Sequence, residues 1–83
     1  GWFRINFNLN NKIFKKIDKT DFFYFTHSYH CLPKEKDNIL ATYKFHKKEI
    51  VAAVIQNNII GLQFHPEMSS YAGKKILKNF LEI

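Results

Sequence analysis

Ile59-Ile60-Gly61-Leu62-Gln63-Phe64-His65-Pro66-Glu67-Met68-Ser69-Ser70 is the stretch around which the chain is organised. Its apolar first half reads as a strand leaving a sheet, and its polar second half as the hand-over to a helix. Pro66 has no N–H for a ladder and a fixed φ, so regular pairing is expected to stop there. The ring also disfavours helical backbone at the preceding residue, which keeps His65 extended. In extended backbone, positions i and i+2 project to one side, so His65 and Glu67 are expected to face the same way. A carboxylate beside an imidazole can accept its Nδ1–H, fix the tautomer and stabilise the imidazolium. Such a pair is two-thirds of a nucleophile-His-acid site. Read alone, His-Pro-Glu is also compatible with a plain surface turn.

Downstream, Ser69 or Ser70 is expected to cap a helix running to about Glu82. Ala72, Ile76, Leu77, Phe80 and Leu81 form its expected apolar stripe, and Lys74, Lys75 and Lys78 its solvated side. Upstream, Ile50–Gln56 reads as a buried strand. Asn57-Asn58 makes a two-residue connection, since Asn tolerates positive φ, and 59–64 returns as the hairpin partner. Residues 39–45 read as a further strand, followed by a turn at His46-Lys47-Lys48. Residues 33–38 form a charged loop. Residues 22–29 are the best strand of the first half, and their near-continuous apolar start suggests cover on both faces. Before it come a strand within residues 1–11, closed by an Asn-rich turn at 8–11, and one helical turn at 12–17 that buries Ile13, Phe14 and Ile17.

At 83 residues the chain is at most one domain. Nine Phe, four Tyr and one Trp are more rings than so short a chain easily hides, so some are expected to pack against protein outside it. Together with a first residue that is not Met, this suggests a chain cut from something longer. The net charge of +6 invites a nucleic-acid reading. The lysines are scattered over turns and one helix face, however, and do not interleave with aromatics as a stacking platform requires. No nucleic-acid partner is therefore expected. Cys31, the single cysteine, excludes an internal disulfide and suits a reducing compartment. It is followed by Leu32-Pro33-Lys34, with no glycine elbow and no helix behind it, so it reads as a packing residue rather than an attacking thiol. His27, His30, His46 and His65 lack paired ligand spacing, and neither metal nor cofactor is expected. No apolar run is long enough for a membrane helix and no signal-peptide pattern is present, so a cytoplasmic location without membrane contact is expected.

Gly61-Leu62-Gln63-Phe64-His65-Pro66-Glu67, then Ser69-Ser70 and Gly73-Lys74-Lys75-Ile76-Leu77-Lys78-Asn79-Phe80-Leu81, resembles the C-terminal end of a class I glutamine amidotransferase. Gly1-Trp2 and Tyr24-Phe25-Thr26-His27-Ser28-Tyr29 are similar to the Gly-Trp-Asn and Phe-Val-His-Ser-Tyr segments of one branch, the glutaminase subunits of imidazole glycerol phosphate synthases. The likeness covers essentially the whole chain. It implies an α/β fold, with residues 1–83 forming the C-terminal portion of a flavodoxin-like domain: mostly β-strands, with a β-hairpin and a C-terminal helix. The nucleophile-bearing half would lie outside. The resemblance further implies that His65 and Glu67 are catalytic, that Ser28 and Tyr29 bind the glutamine substrate, and that His27 makes a structural hydrogen bond. It implies a heterodimer with a cyclase subunit that receives ammonia for histidine biosynthesis. Two departures stand out: Phe3 replaces the family Asn after Gly-Trp, and Met68 replaces the usual Lys after His-Pro-Glu. A non-catalytic α/β interaction module and the anthranilate- or guanylate-synthase glutaminases are the alternative readings.

Overall fold

A computed structural model describes residues 1–7, 11–26 and 33–82. Six strands and one helix follow in order: β1 (Trp2–Arg4), β2 (Asn6–Phe7), β3 (Phe22–Tyr24), β4 (Ile39–Phe45), β5 (Lys48–Gln56), β6 (Ile59–Leu62) and α1 (Ser70–Leu81). Single 3₁₀ turns occupy Lys12–Phe14, Lys36–Asn38 and Pro66–Met68. β1 pairs with β3, and β2, β4, β5 and β6 form a second sheet in that order, every pairing antiparallel.

The expected N-terminal strand is thus two. The chain breaks at Ile5, which is buried, so that β1 and β2 join different sheets. Trp2 stands opposite Tyr24 and their rings meet edge to face at 5.5 Å, a cross-strand pair that stabilises the small sheet. Beyond the ladder, the Gly1 ammonium donates to the Phe25 carbonyl and the Phe25 N–H to the Gly1 carbonyl.

The two hairpins follow from their loops. His46 and Lys47 both take positive φ, 50° and 66°, which a two-residue loop needs to match strand twist. Asn57 takes φ 56° at the second loop, and β6 returns with Gln56 opposite Ile59. The ladder fades after Leu62, but Gln63 N–H still donates to the Ala52 carbonyl at 2.8 Å. The chain therefore stays seated on β5 until two residues before His65.

Between the sheets and α1 lies one core, including Ile13, Phe14, Phe23, Phe25, Tyr43, Phe64 and Ile76. Phe25 stacks on Tyr43 at 4.0 Å, and Phe64 lies 4.6 Å from Phe23. Phe3 joins the cluster through Phe25, Tyr43 and Phe45. The residue that departs from the family pattern is therefore a packing residue. Burial pushes the Tyr43 phenol above its ordinary value near 10.

Two expectations about faces are corrected. β3 is covered on one face only: Phe23 is buried, while Phe22 is exposed. The apolar stripe of α1 is also rotated. Ala72, Gly73, Ile76 and Asn79 turn inward, whereas Leu77, Phe80 and Leu81 are exposed. Hydrophobicity alone could not separate these adjacent stripes; the inward one is chosen by its small residues, which admit close approach, and by the Asn79 amide. Asn79 Nδ2 donates to the Ile13 and Lys15 carbonyls at 2.9 and 2.8 Å, tying the last turns of α1 to the Lys12–Phe14 turn.

Candidate active site

His65 is anchored through its backbone. Its N–H donates to the Tyr24 carbonyl at 2.9 Å, and its carbonyl accepts from Met68 N–H at 3.0 Å and from Ser69 Oγ at 2.6 Å. Ser69 Oγ in turn accepts from Tyr24 N–H at 2.9 Å. One fully buried hydroxyl thus staples the end of β3 to the turn carrying the histidine. Ser69 does occupy the N-cap position of α1, but its side chain makes no cap bond. A cap needs the oxygen as acceptor, and Ser69 Oγ accepts from the Tyr24 N–H instead of from a helix amide.

The turn itself differs from the extended segment expected around Pro66. Pro66–Met68 is a 3₁₀ turn with Pro at its start, and His65 precedes it in extended conformation, φ −101° and ψ 98°. Pro suits the first turn of a helix because its absent N–H is not needed there. The turn still carries Glu67 back onto the imidazole: His65 Nδ1 lies 3.4 Å from Glu67 Oε2. Facing of the pair is as expected, although a turn, not extended pleating, produces it. Behind the turn, α1 approaches so closely that a Cβ on Gly73 would lie 1.9 Å from the Pro66 carbonyl oxygen and 2.9 Å from Ser69 Cβ. Glycine is required there by space.

His65 is 40% and Glu67 62% exposed, so the pair is wet. An exposed ion pair contributes only about 0–1 kcal/mol to folding. Its value is chemical: a carboxylate on the Nδ1 side favours the tautomer with the proton there, in which Nε2 carries the lone pair and is the basic nitrogen. On that side the Thr26 hydroxyl sits 3.3 Å from Nε2. A weak, exposed contact of this kind is easily replaced by a reacting thiol or water. The arrangement can accept and return a proton at Nε2 but supplies no nucleophile among the described residues.

Ser28 and Tyr29, the expected substrate contacts, lie outside the described residues, as do His27 and Cys31. Thr26 and Ser69 are site neighbours that sequence reasoning missed. Thr26 lies within the quoted Tyr24–Tyr29 segment, so membership of it was the available signal; the buried role of Ser69 was masked by its fitness as a cap. Met68, in place of the family Lys, is exposed. Concavities occur elsewhere: about 100 Å³ between β5 and β6 at Val51–Val54 and Gly61–Gln63, and a larger one at the far end of α1. Among the described residues no three His, Cys, Asp or Glu side chains converge as metal ligands. No helix among them is long and apolar enough to cross a membrane.

Residues 4–83 match the family "Glutamine amidotransferase class-I". Similar proteins include imidazole glycerol phosphate synthase subunit HisH of Chlorobaculum tepidum, 40% identical over 99% of this chain and 41% of the relative. The subunit of the same name from Buchnera aphidicola subsp. Schizaphis graminum is 45% identical over 100% of this chain and 41% of its own length. That of Pyrococcus furiosus is 40% identical over 96% of this chain and 41% of the relative. The chain thus spans about two-fifths of the length of these relatives.

Proposed function

The chain belongs to the class-I glutamine amidotransferase family, and on that premise we propose that residues 1–83 carry the acid–base half of a Cys-His-Glu glutaminase site, as the C-terminal portion of one domain. The observation that carries this is the His65–Glu67 pair, 3.4 Å apart at the end of a sheet, with Nε2 facing the Thr26 hydroxyl at 3.3 Å. The thiol comes from a segment outside these residues. Nε2 accepts its proton, and the thiolate sulfur attacks the side-chain amide carbon of glutamine. The tetrahedral adduct collapses as the imidazolium returns the proton to the leaving nitrogen, so that the C–N bond breaks, ammonia departs and a glutamyl thioester remains. Nε2 then deprotonates a water that attacks the thioester carbonyl, the C–S bond breaks as the imidazolium returns that proton to the sulfur, and glutamate leaves. Glu67 stabilises the imidazolium in both halves. Ser28 and Tyr29 contact the amino-acid end of the substrate. Bulk water is held off apart from the one that hydrolyses the thioester, and with His65 in an open setting that cover falls to the thiol-bearing segment.

By similarity to the HisH subunits, the ammonia passes to a cyclase subunit, in a heterodimer that joins glutamine hydrolysis to the partner's lyase step. Imidazole glycerol phosphate and an aminoimidazole carboxamide ribotide are the products, in cytoplasmic histidine biosynthesis. No cofactor takes part in the glutaminase chemistry. In the polypeptide that carries both the thiol and these residues, His65→Ala is expected to lower ammonia release from glutamine by about 10²–10⁴-fold. Turnover within twofold of the parent would overturn the assignment.

A further inference from the structure

Lysines that are far apart in sequence meet at the C-terminal end of α1. A concavity of about 390 Å³ is lined there by Lys12, Lys15, Asn79 and Glu82. A neighbouring one of about 160 Å³ shares Lys15, Asn79 and Glu82 and adds Lys16, Lys75 and Lys78. The larger volume falls in the range of small-ligand pockets, about 300–1,000 Å³. We propose that this cleft binds a small, multiply charged phosphate anion.

The cleft has a fixed floor. The buried Asn79 side chain gives both its amide protons to the Ile13 and Lys15 carbonyls, so the lysine-bearing turn is held against the helix. Lys16 takes left-handed backbone, φ 65°, an unfavourable conformation for a residue with a Cβ. Five ammonium groups border the two adjoining concavities, Lys12 and Lys15 at the larger and Lys15, Lys16, Lys75 and Lys78 at the smaller, and two carboxylates oppose them: Glu82, which lines both, and Asp21, which pairs with Lys75 at 3.6 Å. Among the described residues no carboxylate pairs with Lys12, Lys15, Lys16 or Lys78.

The negative end of the helix dipole accounts for Lys78, in the last turn of α1. It does not account for Lys12, Lys15 and Lys16, which a different element brings to the two concavities. Uncompensated charge of one sign in a cleft focuses the field and raises the local concentration of anions. Lysine binds phosphate as a point charge, and several lysines around one concavity select a compact group bearing more than one negative charge. A long nucleic-acid strand would call instead for a basic track with interleaved aromatics.

Inorganic pyrophosphate is the probe, titrated by heteronuclear NMR or calorimetry in 50 mM and 200 mM NaCl. Saturable binding is expected, weakened at the higher salt, with shifts centred on Lys15, Lys16 and Lys78. Lys15→Gln combined with Lys78→Gln should weaken it at least tenfold with an unchanged unfolding transition, both residues being exposed. Lys47→Gln combined with Lys48→Gln, on the β4–β5 hairpin, should leave it within twofold. No saturation, or equal weakening by both pairs, would overturn the proposal. So would tighter binding of a single-stranded oligonucleotide that depends equally on both lysine pairs.

Discussion

Ser69 shows how far one hydroxyl reaches. Its Oγ receives the Tyr24 N–H and gives its proton to the His65 carbonyl, inside a fully buried position. Removing it takes the partner from the Tyr24 N–H, at about 1–3 kcal/mol, while the His65 carbonyl keeps the Met68 N–H. Ser69→Ala should therefore lower the denaturant midpoint by that amount at an unchanged slope, while Ser70→Ala, at an exposed position, should move it far less. Equal effects would mean that the staple carries no weight. That His65 and Glu67 face each other was legible at this scale, since Pro between a His and a Glu restricts the local backbone enough to keep them neighbours. Ser69's role was not legible: the sequence offers its hydroxyl to the helix amides, and only the folded chain brings the competing Tyr24 amide within reach.

At the scale of elements, α1 and the Pro66–Met68 turn act as one piece because Gly73 lets them touch. A methyl at residue 73 would overlap the Pro66 carbonyl, and neither backbone can yield without moving the turn that holds Glu67. Gly73→Ala removes a helix-disfavouring glycine and on propensity alone would stabilise by about 1 kcal/mol. The clash opposes this with an overpacking penalty of about 1–3 kcal/mol or more. Net destabilisation is expected, together with perturbed amide shifts at His65 and Glu67; a more stable variant with an undisturbed turn would refute the close approach. The hairpin loop at Asn57 and the extent of the helix were both legible, the first from residue types that tolerate positive φ and the second from its flanking polar residues. The buried face of the helix was not, because Leu77, Phe80 and Leu81 are more apolar than the Ala72 and Gly73 that pack inward. Packing distance, which no hydrophobic count contains, decided it.

For the molecule as a whole, the aromatic surplus is shared between a core and a surface. Phe25 and Tyr43 stack inside, while Trp2, Phe22, Tyr71 and Phe80 remain exposed. The class of the fold was legible through the resemblance to the amidotransferase family, while alternation and turn chemistry marked the strands and the hairpin. The split of the N-terminal strand between two sheets was not, since it depends on long-range pairing that local pattern does not encode. Tyr43 supplies a global probe. Its folded pKa is raised by burial, so the stability it contributes is complete below its unfolded value near 10 and is lost as pH rises through the folded value. Unfolding free energy should thus fall above pH 10, and Tyr43→Phe should flatten that fall relative to the lysine background common to both proteins. Identical slopes would show that the phenol does not resist ionisation.

Whether His65 and Glu67 act as one unit is tested most directly by a double-mutant cycle on glutaminase turnover, in the polypeptide that carries the nucleophile as well as these residues. Glu67→Gln should lower kcat by about 10²–10⁴-fold when His65 is present, and should cost nothing further in a His65→Ala background, because the carboxylate acts only through the imidazole. Equal losses in the two backgrounds would contradict the account.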